Sequence, residues 1–136
     1  MTHLLDSDWL ADYLRGRITA RRVLSPLIKQ GSLATSIIVY AEIYEGLLAA
    51  NPTDVHYEAF ARFVAGVPVL PLDQKIAQVF AEHRAALRSR GLLIPDHDLW
   101  IAATALHHGL ILVTRNLKDF RRVPDLKLLQ LGQEAD

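Results

Sequence analysis

Short apolar runs alternate with longer stretches of helical period along these 136 residues. HLL at 3–5 leads straight into Asp6 and reads as the end of a short strand. Helical pieces follow at about 8–14 and 18–30, the second either kinked or restarted by Pro26 after Ser25. LAT at 33–35 predicts another short strand. Ser36 is placed to cap a helix that reaches about Ala50 and ends before Asn51-Pro52. Tyr57, Phe60, Ala61 and Val64 recur at helical spacing within 54–65, and VPVL at 67–70 predicts a strand. Asp73 opens the clearest amphipathic helix, with Ile76, Val79, Phe80, His83 and Leu87 in one stripe and Gly91 stopping it. Past Pro95, a helix over about 97–108 presents Leu99, Ala102, Ala103 and Leu106 on one face. LILV at 110–113 predicts a buried strand, 116–121 a turn or short helix, and LKLL at 126–129 a last strand. Strands alternating with helices define an α/β chain with a parallel sheet covered on both faces. Such sheets place ligands beyond the carboxyl ends of their strands. Asp6 lies at one predicted end and Thr114-Arg115-Asn116 at another.

Composition narrows the function classes. The length suits one compact domain over 1–136, and 51% apolar residues supply its core. No eighteen-residue apolar run occurs, so no membrane helix is expected. MTHLLDSDWL meets acids within six residues and has no basic leader, so no signal peptide is expected. The absence of cysteine removes disulfides, thiolate zinc sites and cysteine nucleophiles, and fits a reducing cytoplasm. Fifteen basic and fifteen acidic residues cancel. A nucleic-acid binder usually carries excess positive charge, so any such role here needs local clusters or a metal.

The candidate chemistry is acidic. Asp6 and Asp8 flank Ser7 after the first strand; Asp8 reads equally well as a helix cap, whereas an acid ending a buried strand must be solvated, paired or metal-bound. In the helix after Ser36, Val39, Ile43 and Leu47 form one row and Tyr40, Tyr44 and Leu48 the next. Glu42 and Glu45 share the remaining face, and the pattern alone does not choose between them. Gly46 in mid-helix costs about 1 kcal/mol relative to Ala and suggests close approach by another segment. Asp96 and Asp98 straddle His97 at a helix start, where acids complement the dipole. Asp96 is explained by that role; Asp98, opening an apolar helix, is placed to face the sheet edge. Asp119 follows Thr114, Arg115 and Asn116 in a loop where charge is common. His83, His97 and His107-His108 lack zinc-site spacing, so no histidine is assigned to a metal. Together the acids form an oxygen donor set for a hard cation, Mg²⁺ or Mn²⁺. Gathered without one, they would repel and raise their own pKa values.

LLDSD at 4–8, YAEIYEG at 40–46, DLWIAATAL at 98–106 and LVTRNLKDF at 112–120 resemble the PIN-domain ribonucleases, and more narrowly the VapC-type toxins of toxin–antitoxin pairs. The motifs come in the family's order and span nearly the whole chain. The resemblance implies that Asp6, Glu42 with Gly46 four residues on, Asp98 before Ile101-Ala102-Ala103, and Asp119 are the catalytic acids. Many relatives carry Asn two residues after the first acid, where this chain has Asp8. A PIN α/β/α sandwich, an antitoxin that blocks the active site, and a homodimer are also implied.

The expected reaction is RNA phosphodiester hydrolysis. Asp6 and Asp98 are expected to bind the metal, with Glu42 and Asp119 completing the cluster or holding its waters. Thr114 and Asn116 would orient the carboxylates, and Arg15, Arg17, Arg115 and Lys118 would hold RNA. Surplus apolar surface at Tyr40, Tyr44, Leu48, Tyr57 and Phe60 would serve the dimer and the antitoxin. Two alternatives are a non-catalytic scaffold of the same fold and a haloacid-dehalogenase-type phosphatase built on Asp6-Ser7-Asp8. The latter class needs a paired Asp-Asp motif, which this sequence lacks.

Overall fold

Strands and helices alternate as expected in the computed structural model, which describes residues 1–51 and 53–131. The strands are β1 (His3–Leu5), β2 (Leu33–Ser36), β3 (Val69–Leu70) and β4 (Ile111–Val113). The helices are α1 (Ser7–Leu14), α2 (Ile18–Lys29), α3 (Ile37–Ala49), α4 (Asp54–Gly66), α5 (Gln74–Ser89), α6 (Asp96–His108) and α7 (Leu117–Phe120). All pairings are parallel, in the order β3-β2-β1-β4. The chain therefore steps outward from β1 to β3 on one side and returns to β4 on the other. The order reverses between β1 and β4, which is where open α/β sheets form their crevice.

Register carries the site into place. Leu5 pairs with both Thr35 and Val113, so the residues after Leu5 and Val113, Asp6 and Thr114, emerge side by side. Leu4, Leu5, Ala34, Leu112 and Val113 are fully buried, as a parallel sheet flanked by helices requires. Leu99, Ile101, Ala102, Ala103 and Ala105 bury the inner side of α6, and the buried Thr104 returns its hydroxyl to the Trp100 carbonyl at 2.8 Å. Gly109, at φ 67°, closes that helix in the left-handed conformation.

Several expectations change in detail. Pro26 sits inside one uninterrupted helix near its end, where the lost N–H costs a single bond. The strand expected at 126–129 is only a bridge between Leu112 and Leu128, held by the Leu112 N–H on the Lys127 carbonyl at 2.8 Å and the Leu129 N–H on the Leu112 carbonyl at 2.9 Å. β3 is shorter than VPVL suggests: Pro68 has no N–H to give and contributes only its carbonyl, which accepts from Thr35 at 2.9 Å. A Cβ on Gly46 would meet nothing within 4 Å, so no segment packs closely there. That stretch of α3 faces outward, with Tyr44, Glu45 and Gly46 exposed. Phe60 is core rather than surface, and its ring lies 4.9 Å from that of Tyr40. Pro52, used above to end α3, lies outside the described residues. Among the described residues no helix is long and apolar enough to cross a membrane.

Candidate active site

Asp6 continues the ladder beyond β1, its N–H donating to the Val113 carbonyl at 2.9 Å. It is extended (φ −85°, ψ 164°) and caps α1, so Asp6 rather than Asp8 is the cap. Its Oδ1 accepts the Ser7 N–H at 2.8 Å and its Oδ2 the Thr114 hydroxyl at 2.6 Å. At 5% exposure this strand-end carboxylate relies on hydrogen bonds rather than bulk water.

Glu42 arrives from the neighbouring strand. The Thr35 hydroxyl donates to the Leu5 carbonyl at 2.9 Å, tying the ends of β1 and β2, and Ser36 caps α3 through the Val39 N–H at 3.0 Å. This places Glu42 against α1, where the Ser7 hydroxyl beside it favours the charged carboxylate. Glu42 Oε2 lies 3.8 Å from His97 Nε2, while the buried Oε1 has no hydrogen-bond partner. Glu45 is exposed. Packing thus separates two acids that periodicity could not.

Asp98 occupies the first turn of α6 and is 8% exposed. Its Oδ1 lies 3.5 Å from His97 Nε2. The Asn116 side-chain amide donates to Asp98 Oδ2 at 3.4 Å and to Asp119 Oδ2 at 3.2 Å, and its carbonyl accepts the Asp119 N–H at 3.4 Å. Asn116 is thus at once the cap of α7 and the bridge between two acids. Asp96, by contrast, is exposed and paired with Arg84 at 2.9 Å.

Burial is the largest influence on the acids. It pushes the carboxyl pKa values of Asp6, Asp8, Glu42 and Asp98 above their ordinary range. Mutual repulsion, the cause anticipated from sequence, adds a smaller rise: Asp6 feels Asp98, Asp8 and Glu42 feel Asp6, and Asp98 feels Asp119 and Asp8. Hydrogen bonds from Thr114 and Ser7 to Asp6, and the imidazole and amide of His97 and Asn116 beside Asp98, oppose the rise. The four acids singled out by the motifs therefore converge, and Asp8 joins them.

Among the described residues no three such side chains stand ready to enclose an ion as they are. The donor set still fits Mg²⁺, which keeps several waters and takes only one or two carboxylates directly. Glu42 Oε1 is the specific sign of fit: a buried carboxylate oxygen without a donor, among other acids.

His97 and Ser7 were missed from sequence. His97 lacks zinc-site spacing, and the sequence signal of its place here is its position between Asp96 and Asp98. Ser7 was visible only as the residue between two acids. Arg115, expected on RNA, lies against α1, where its guanidinium bonds Asp12 and sits 4.1 Å over the Trp9 ring. Arg15, Arg17 and Lys118 are exposed.

An α/β domain with acids converging at its switch point has known counterparts. The sequence matches the PIN domain over residues 4–126, and the chain belongs to that family. It is 31% identical over 129 residues to ribonuclease VapC1 of Haemophilus influenzae strain R2866, covering 93% of this chain and 96% of that protein. Its fold is similar to VapBC2 from Rickettsia felis bound to a promoter DNA fragment (TM-score 0.86, 27% identity, 95% of this chain and 98% of that one). VapBC-1 from nontypeable Haemophilus influenzae is also similar (TM-score 0.81, 26% identity, 95% and 97% covered). The central parallel sheet flanked by helices is the PIN α/β/α arrangement.

Proposed function

We propose that the protein is a divalent-metal-dependent endoribonuclease, the toxin of a toxin–antitoxin pair. The observation that carries this reading is the convergence of Asp6, Glu42, Asp98 and Asp119 at the switch point, with one buried Glu42 oxygen unpartnered. Its similarity to proteins named ribonuclease VapC supplies RNA as the substrate class. When bound, Mg²⁺ or Mn²⁺ supplies charge neutralisation and Lewis-acid polarisation of the scissile phosphodiester.

The remaining work falls to the chain. Asp6 and Asp98 would hold the cation, and Glu42 and Asp119 would accept hydrogen bonds from water and orient it. Thr114 fixes Asp6, and Asn116 fixes Asp98 and Asp119. His97 stands at the rim beside Glu42 and Asp98. Arg15, Arg17 and Lys118 steer the RNA backbone.

Similarity to VapBC complexes supports an antitoxin partner, and the exposed Tyr44 and Leu48 on α3 support a homodimer. The lack of cysteine supports a cytoplasmic setting. The test is to map RNA 5′ ends after brief induction of wild type and of Asp6→Ala. New, sequence-restricted ends are expected with wild type alone. Identical end profiles would leave the non-catalytic scaffold as the better account.

A further inference from the structure

The Thr114–Asn116 loop faces two ways. Thr114 and Asn116 turn toward the acids. Arg115, between them, turns toward α1: its N–H donates to Asp8 Oδ2 at 2.9 Å and its guanidinium bonds Asp12. Asp8 and Asp12 are one helical turn apart, so the backbone and the side chain of one residue are tied to successive levels of α1. The guanidinium also lies over Trp9, which is 2% exposed and fixed in the core. The second oxygen of Asp8 accepts the Trp9 N–H at 2.6 Å. Both Asp8 oxygens therefore serve the backbone.

What this tie controls follows from peptide geometry. The Arg115 N–H belongs to the same planar unit as the Thr114 carbonyl, so holding it fixes the backbone of Thr114. The Thr114 Oγ accepts the Asn116 N–H at 3.1 Å, which leaves its single proton for Asp6 Oδ2 at 2.6 Å. Asn116 then reaches Asp98 and Asp119.

We infer that Asp8 and Arg115 are positioning residues, a splint that holds the Thr114–Asn116 loop against α1 so that Thr114 and Asn116 orient the catalytic acids. Asp8 is on this account neither a ligand of the cation nor a spare charge, and Arg115 is not an RNA contact. The effect on reaction rests on the ribonuclease reading; the splint itself does not.

Two measurements on the full chain separate these. The first is amide hydrogen exchange, normalised to the buried Leu112 amide, for wild type, Asp8→Ala and Asp8→Asn. Asp8→Ala is expected to lose protection at Arg115 and Asn116, and Asp8→Asn, whose single acceptor oxygen can face the Arg115 N–H while the Trp9 bond is lost, to retain most of it. The second is cleavage kinetics with Mn²⁺ calorimetry. Asp8→Ala should lower kcat by about 10–100-fold, the usual cost of removing a group that orients metal ligands. Asp8→Asn should recover most of that rate and bind Mn²⁺ far better than Asp6→Asn. Arg115→Met should lower kcat while KM and the salt dependence of RNA binding stay put. Undiminished protection at Arg115 and Asn116 in Asp8→Ala would overturn the splint. So would Asp8→Asn losing Mn²⁺ as fully as Asp6→Asn, or Arg115→Met raising KM and flattening the salt dependence. If wild type cuts no RNA, the ribonuclease reading fails, and the exchange pattern alone still decides the splint.

Discussion

Leu5 and Asp6 are adjacent, nearly equally buried, and opposite in what burial does for the fold. Leu5 sits among Leu4, Leu112 and Val113, where every apolar area removed from water favours folding. Asp6 sits among Asp8, Glu42 and Asp98, where burial and like charge disfavour the ionised carboxylate. One residue of register separates a region that stabilises the sheet from a region that the sheet must support. Buried charge of one sign, concentrated at a sheet's switch point, is what function looks like when written in stability terms.

The contrast is sharpest under substitution. Leu112→Ala, in the fully buried middle of β4, is expected to cost about 2–5 kcal/mol in urea unfolding, with the acids still correctly placed in the folded fraction. Asp6→Asn is expected to act the other way round: RNA cleavage falls by about 100-fold or more while the folded protein persists. Thr114→Val removes the hydroxyl on Asp6 Oδ2 and should lower kcat by about 10-fold with only modest loss of stability.

Acidity gives a subtler difference between the two regions. The folded pKa values of Asp6, Asp8, Glu42 and Asp98 lie above their unfolded ones, so the native state binds more protons. Their contribution to stability is complete below the unfolded carboxylate range near about 4 and is lost as pH rises through the raised values. In EDTA, unfolding free energy should therefore decline as pH rises from about 4 through the raised carboxyl values, and added Mg²⁺ should restore it above them. The smallest effect is expected at Asp96→Asn. Its partner Arg84 is exposed to 29% and Asp96 to 60%, so the pair contributes at most about 0.5 kcal/mol and cleavage should not depend on it.

Much of this was legible in the sequence. Apolar periodicity located the strands and helices because a sheet covered on both faces forces its strands to be continuously apolar. Strand ends followed, and with them Asp6 and the Thr114–Asn116 loop. What periodicity could not supply was direction across the fold. Glu42 and Glu45 share a helix face, and only the packing of α3 against α1 turns one of them inward. Gly46 read as a close approach because mid-helix glycine usually has a tertiary reason, and here none is found. Arg115 lay in a polar loop beside the site, yet its aromatic and carboxylate partners are some hundred residues earlier in the chain, at Trp9 and Asp12. His97 has a similar cause on one side: Asp98 is its neighbour in sequence, but Glu42, which marks its place at the site, comes from α3.

The central claim is that these acids are held together for a cation, at the fold's expense. The direct measurement is a set of four melts: wild type and Asp98→Asn, each in EDTA and in excess Mg²⁺. In EDTA, Asp98→Asn should melt higher than wild type by about 3–5 °C, equivalent to about 1 kcal/mol of relieved burial and repulsion at this size. Its stabilisation by Mg²⁺ should shrink well below that of wild type, because only affinity for the native state stabilises. A mutant that melts lower in EDTA and gains as much from Mg²⁺ as wild type would contradict the claim and leave Asp98 as a helix-start acid with structural duties alone.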